Sequence, residues 1–284
     1  MFCLTLYPKG GLANRMRAID SAVNFCTEKN VKLNVKWYKD WGMNCDWNEL
    51  FCPLSFVNDK PLPKWIKMIL NSRQSQKYNR SIIYAICAVA VDFVVRLLGK
   101  FHILCFLDMQ EIREFEEFVK KRCLFGVILS WDAFYPQEKF HNELFIINDT
   151  EILQSELAKI SSHTVGVHIR RTDNPWSIAH SPLELFEKKM RQEMDYDTLT
   201  DFYICSDDLS VKEHFRYGIW KDKVKMPEGI INRGSKEGIV QAACEMYALS
   251  TTTKILGSYW SSFGEIAARL GNIEIEICTT SPKS

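Results

Sequence analysis

The chain has 284 residues and 46% of them are apolar, enough for one large or two medium domains with ample core. Lys and Arg total 36 against 35 Asp and Glu, a net charge of +1, so no global field recruits nucleic acid or an anionic membrane. Any anion must be bound locally. The ten cysteines are scattered, several within apolar runs (Cys26, Cys87, Cys105, Cys205, Cys278), and Cys45 with Cys52 lacks a matching second pair. A reduced cytoplasmic chain without a structural zinc is expected. No signal peptide is expected either, because residues 2–7 already read as a strand.

From the amino terminus, residues 2–7, the turn Lys9-Gly10-Gly11, a helix through about Glu28 and a strand over 32–37 make a βαβ opening. Gly10 and Gly11 would let the backbone pass close to a ligand, and the following helix, with Asn14, Arg15 and Arg17 in its first turns, aims its free N–H groups at the same place. Residues 45–130 read as helical and irregular, with Pro53, Pro61 and Pro63 marking loops and a charged amphipathic helix over 108–122. Within this stretch 81–98 is almost membrane-like. Asp92 and Arg96 interrupt it, and it is at the short limit of the roughly 20 apolar residues a bilayer crossing needs. The first reading is a buried helix in which Asp92 and Arg96, one turn apart, pair with each other. The second is a helix that docks peripherally on a membrane or a partner, helped by Lys64, Lys67, Arg73, Lys77, Arg80, Arg96 and Lys100. Residues 140–148 add one apolar element, and Asp149-Thr150 caps a helix over 151–160. A domain boundary is expected near residue 155, giving domains 1–155 and 156–284.

The second half alternates regularly: strand 165–170, helix 182–194, strand 202–206, helix 209–215, strand near Val224, helix 237–249, strand 254–257, helix 262–270 and strand 274–277. Such spacing implies an α/β fold with a parallel sheet covered on both faces, and two such halves imply a cleft. Strand alternation puts His168 and Arg170 on one face and Val165 and Val167 on the other. At its carboxyl end, where open α/β sheets bind ligands, Arg170, Arg171 and Asp173 would emerge as a diphosphate clamp; the alternative is surface charge closing a core strand. Two further polar clusters end strands: Ser206-Asp207-Asp208, which cap the next helix or touch the ligand, and Ser258 with Ser261-Ser262 at a helix start that can bind phosphate. Asp195-Tyr196-Asp197 offers a metal-diphosphate signature, but it precedes a strand and is expected to serve a turn.

Gly10-Gly11-Leu12-Ala13-Asn14-Arg15-Met16-Arg17, His168-Ile169-Arg170-Arg171-Thr172-Asp173, Cys205-Ser206-Asp207-Asp208 and Gly257-Ser258-Tyr259-Trp260-Ser261-Ser262-Phe263 resemble, in order, the motifs of the fucosyltransferase superfamily. That superfamily includes the α1,6-, α1,2- and protein O-fucosyltransferases, and the stretch from His168 is closest to the α1,6 type. The resemblance implies a GT-B architecture of two Rossmann-like domains facing across a cleft, a GDP-fucose donor held mainly by the carboxyl-terminal domain, an acceptor-side amino-terminal domain, and inversion with neither cofactor nor metal. It puts Arg170 at the donor's β-phosphate, with His168 and Arg171 beside it at the nucleotide. Asp207, Asp208, Ser261, Ser262 and Phe263 fall on the later donor motifs, and Asn14 matches a position that reaches the reacting centre from the other domain.

After Asp173 the α1,6 enzymes carry a Lys and then a catalytic Glu, whereas this chain runs Asn174-Pro175-Trp176-Ser177-Ile178. Asp173 is then the first candidate base, with an ion pair to Arg170 or Arg171 as its alternative role; Glu184 and Asp20 rank behind it. The resemblance implies a bacterial cytoplasmic enzyme, at the inner face of the membrane, acting on a surface polysaccharide or lipid-linked oligosaccharide. Two rivals stand beside it: a transferase using GDP-mannose or a UDP-sugar, and a non-catalytic nucleotide- or glycan-binding protein.

Overall fold

A computed structural model describes residues 1–73, 82–109, 112–136, 139–229, 232 and 234–280. The chain divides into two compact units, one of residues 1–48 and 53–144, the other of residues 49–52 and 145–284.

The first unit begins with the expected βαβ: β1 (Cys3–Pro8), α1 (Leu12–Glu28) and β2 (Lys32–Trp37), followed by the short α2 (Trp47–Leu50). It continues with β3 (Val57–Asp59), α3 (Lys64–Arg73), α4 (Ile82–Lys100), β4 (Leu104–Asp108), α5 (Ile112–Lys120) and β5 (Phe125–Ser130). The five strands are all parallel in the order β3-β2-β1-β5-β4. Three of them fall where the sequence reads as helical and irregular, which corrects that reading. β3 has only three residues, and β4 and β5 are short apolar runs, whose periodicity does not separate a covered parallel strand from a buried helix.

α4 corrects a second expectation. Its inner face packs Ala88, Val91 and Val95 toward the sheet and α3, and Asp92 pairs with Arg96 at 2.6 Å as expected. The opposite face, Ile86, Val89, Phe93 and Leu97, is 40–66% exposed, so the helix is not buried. Among the described residues no helix is long and apolar enough to cross a membrane. Ser81, Lys77 and Arg80 lie outside the described residues.

The second unit holds α6 (Glu151–Leu157), β6 (Thr164–Ile169), α7 (Pro175–His180), α8 (Leu183–Tyr196), β7 (Asp201–Ser206), α9 (Leu209–Tyr217) and β8 (Val224–Lys225). α10 (Lys236–Ser250), β9 (Ile255–Ser258), α11 (Ser262–Gly271) and β10 (Ile275–Cys278) complete it. Its sheet is again wholly parallel, in the order β10-β9-β6-β7-β8. The units part at Leu144 rather than near 155, because α6 packs on α10 and fully buried Phe145 meets Phe51 edge to face at 5.9 Å. Thr150 caps α6 as expected, accepting from the Leu153 amide at 3.1 Å.

β6 is buried along its whole length. Val165, Val167 and Ile169 join Phe186, Met190, Phe202, Ile204, Phe215 and Leu256 in one core, each such side chain contributing about 1.5–3 kcal/mol on burial. Gly166 and His168 face the other way: a Cβ on Gly166 would meet Leu249 and Thr252, and His168 stacks on Phe263. This alternation delivers Arg170 at the strand end.

Candidate functional site

Strand order reverses between β6 and β9 in the second unit, and the ends of these two strands form its site. Such switch points are where open α/β sheets bind ligands. Ser258, ending β9, accepts a hydrogen bond from the Arg170 amide at 2.9 Å and donates to the His168 carbonyl at 3.3 Å, tying the two strand ends together. Asp207, following β7, holds the other side. It accepts from the Arg171 amide at 2.7 Å, from the Thr172 hydroxyl at 2.7 Å and from the Arg170 guanidinium at 2.9 Å. Arg170 is thus gripped by Asp207 and also pairs with Asp173, whose side chain is half exposed.

The N-terminus of α11 opens beside this strand end. Ser261 occupies the cap position of α11 and makes no side-chain cap hydrogen bond; helix N-termini of this kind are where anions bind. Gly264 lies over His168, where a Cβ would sit 3.5 Å from Nδ1. The His168 ring stacks on Phe263 with centroids 4.8 Å apart, and its Nδ1 has no hydrogen-bond partner among the described residues. Burial, with the adjacent Arg170 charge in the same direction and Asp207 opposing, pushes the imidazole down to about 4, so it is neutral at physiological pH. Arg170, the Ser258 tether, Ser261, Ser262 and the His168–Phe263 stack therefore gather at one strand edge.

Several predicted site residues have other work. The Arg171 guanidinium turns away from Arg170 and donates to the carbonyls of Ser181 at 2.7 Å and Ile178 at 3.4 Å, holding the end of α7. Burial lowers the pKa of Arg171, with Glu184, Asp208 and Asp207 opposing. Asp208 is the cap of α9, accepting from the Ser210 amide at 2.8 Å and hydroxyl at 2.7 Å; the hydroxyl bond heads the causes holding its carboxyl low. The buried Ser206 hydroxyl accepts from the Asp208 amide at 3.2 Å.

The first unit has its own reversal between β1 and β5, where Lys9 donates its amide to the Ser130 carbonyl at 2.7 Å. Gly10 has φ +84°, a left-handed conformation that suits glycine and leads into α1. Gly11 caps α1 in extended backbone that any residue adopts. Asn14 is half buried one turn into α1, 3.4 Å from Arg17 Nη2. Arg15 is corrected to a structural role. It is fully buried, donates to the Gly10 carbonyl at 2.9 Å, the Tyr38 carbonyl at 2.6 Å and Asp40 at 2.7 Å, and lies over the rings of Trp37 and Tyr38. Asp20 is likewise buried and accepts from the His141 amide and ring at 2.8 Å each, which removes it as a base. A groove of about 450 Å³ lies at the carboxyl ends of β2 and β3, lined by Tyr38, Asp40, Asp46, Asp59, Lys60 and Lys67 among others.

The segment after Asp173 forms a short helix that the sequence reading does not contain. Asn174 caps α7, accepting from the Ser177 amide at 3.1 Å, with Pro175 opening the helix; an Asn-Pro pair carries that signal. The Asn174 amide also donates to the Trp260 carbonyl at 2.8 Å, a contact between distant residues that no local pattern shows. Asp197 accepts from His163 at 2.7 Å and from the Leu199 amide at 2.9 Å, the turn role expected of the 195–197 stretch. Among the described residues no group of three or more His, Cys, Asp or Glu side chains is arranged to hold a metal ion.

Two parallel Rossmann-like sheets, with Arg170 at the switch point of the second, define a GT-B-type α/β fold, the fold of the fucosyltransferases. The solved structures it resembles include a mutant of Arabidopsis thaliana FUT1 in complex with GDP, at 16% identity and a TM-score of 0.55 over 98% of this chain and 70% of that one. They also include NodZ α-1,6-fucosyltransferase soaked with GDP-fucose, at 16% identity and 0.53 over 95% and 93%. NodZ from Bradyrhizobium (15% identity, 0.52, over 94% and 93%) and POFUT1 in complex with GDP (7%, 0.52, over 97% and 98%) share it too. No family model and no curated protein matches the sequence.

Proposed function

We propose that the chain is an inverting, metal-independent glycosyltransferase that moves fucose from GDP-fucose to a glycan acceptor. The observation that carries this reading is Arg170, fixed by Asp207 at the β6/β9 reversal beside the α11 N-terminus. Departure of GDP from the sugar builds negative charge on the β-phosphate, and a preorganised guanidinium together with helix N–H groups stabilises it. The acceptor hydroxyl must lose a proton as it attacks, and Asp173 is the base within this unit once the donor's phosphate has drawn Arg170 away from it. The fucosyltransferase neighbours in complex with GDP or soaked with GDP-fucose support this donor.

In this reading the first unit is the acceptor side, with Asn14 and the groove beside β2 and β3. The acceptor is a growing bacterial surface polysaccharide or lipid-linked oligosaccharide, met at the cytoplasmic face of a membrane. The exposed apolar face of α4, with exposed Lys100 in the helix's last turn, supports peripheral contact with an anionic leaflet. Release of GDP from GDP-fucose, followed in EDTA, tests the enzyme: slow turnover to water is expected. No turnover of GDP-fucose, with turnover of GDP-mannose or a UDP-sugar instead, would reassign the donor. No turnover of any of them would leave a binding protein.

A further inference from the structure

Near Arg170 the second unit displays a group of aromatic rings, two of them exposed. Trp176 on α7 and Trp260 before α11 are 56% and 63% exposed, with centroids 5.7 Å apart and planes tilted by 32°. Trp176 is backed by His180, nearly parallel at 5.7 Å, and His180 meets Tyr259 at 5.2 Å. Large exposed rings are costly to leave in water, and here polar contacts hold them in place. The Asn174 amide donates to the Trp260 carbonyl at 2.8 Å, the Ser177 hydroxyl donates to the Tyr259 carbonyl at 2.6 Å, and the Ser181 hydroxyl accepts from the Tyr259 amide at 2.8 Å.

A second, independent observation is the backbone of Trp260. Its φ is +52°, the left-handed region that a bulky residue rarely occupies. Strain of this kind persists where the surroundings over-determine it, and it collects at ligand clamps. Here it lifts the indole out at the sheet edge immediately before the α11 N-terminus.

We propose that Trp176 and Trp260 form a stacking platform for a pyranose ring of the acceptor glycan, next to Asp173. This rests on the reading of the Arg170 edge as the transfer site. The chemistry favours a sugar over a nucleobase. The tilted rings at 5.7 Å leave no parallel slot to sandwich a flat base, but they offer an open, electron-rich surface to the C–H face of a pyranose. Trp176 follows Asp173 by three residues, so a ring lying there is close in the chain to the half-exposed carboxylate.

The test uses the full chain on a printed array of defined oligosaccharides, with GDP affinity measured by calorimetry on the same preparations. The wild type should retain a subset of neutral oligosaccharides, and Trp176→Ala and Trp260→Gly should each weaken that binding about tenfold while leaving GDP affinity unchanged. Trp176→Ala alters a surface ring, and Trp260→Gly suits the left-handed backbone, so both are expected to fold; an unchanged thermal midpoint checks this. Loss of GDP binding with oligosaccharide binding intact would overturn the proposal in favour of a nucleobase platform, and so would a wild type that retains no oligosaccharide. A wild type that binds oligosaccharide through both tryptophans but no GDP would overturn the donor reading and leave the platform standing.

Discussion

Asp207 is the side chain on which the strand-end geometry depends most. One carboxylate satisfies a backbone amide, a hydroxyl and a guanidinium; its removal leaves the part-buried Arg171 amide without its acceptor and holds Arg170 only through Asp173. Asp207→Ala should cost about 1–3 kcal/mol in urea denaturation, the usual penalty for unpaired donors, and weaken GDP binding by loosening Arg170. Unchanged stability together with unchanged GDP affinity would show that the loop is held by other contacts. The sequence made Arg170 legible, because strand alternation and the carboxyl-end rule both point to it. It could not tell Arg171 from Arg170. Arg171 is decided by the Ser181 carbonyl, presented by a short helix whose Asn-Pro start was visible but unread. Arg15 misled for a related reason: an arginine in the first turn of a helix after a glycine turn looks like an anion ligand, and only the positions of Tyr38 and Asp40 show it to be internal.

At the scale of elements, α10 carries a titrating group. Glu245 is buried, and burial, with Glu156 adding to it and Lys212 and the Gln241 bond opposing, pushes its carboxyl up to about 7. Its folded value exceeds its unfolded one, so the native state binds more protons between about pH 4.5 and 7, and stability falls as pH rises through that window. Glu245→Gln should remove a fall on the order of 3 kcal/mol, measured as the pH dependence of the urea midpoint; a variant that keeps the wild-type slope would contradict the assignment. α4 makes a separate prediction. The wild type should sediment with vesicles of phosphatidylglycerol and phosphatidylethanolamine, and a Val89→Glu, Phe93→Glu double variant should stay in solution with its GDP binding intact. Equal sedimentation of the two would remove the membrane reading. The α4 pattern announced a helix, but which face would be covered depends on α3 and β4, and β4 itself was hidden because covered parallel strands lack alternation.

At the scale of the whole molecule, each unit is a five-stranded parallel sheet with its first strand in the middle, but next to that strand the first unit sets its last strand, β5, and the second unit its fourth, β9. The regular strand-helix alternation after residue 164 made the second unit readable almost element by element. The first unit was readable only in its opening βαβ, because β3 has only three residues and β4 and β5 are apolar runs whose periodicity does not separate a covered strand from a buried helix. In the proposed function the second unit's reversal binds the donor diphosphate through Arg170. Calorimetric titration of GDP and GDP-fucose in EDTA, on the wild type and Arg170→Ala, tests it most directly. Metal-free binding of both by the wild type is expected, with affinity about a hundredfold weaker in the variant, the loss of one charge-assisted pair. Equal affinity in the two proteins, or binding only of UDP compounds, would contradict it.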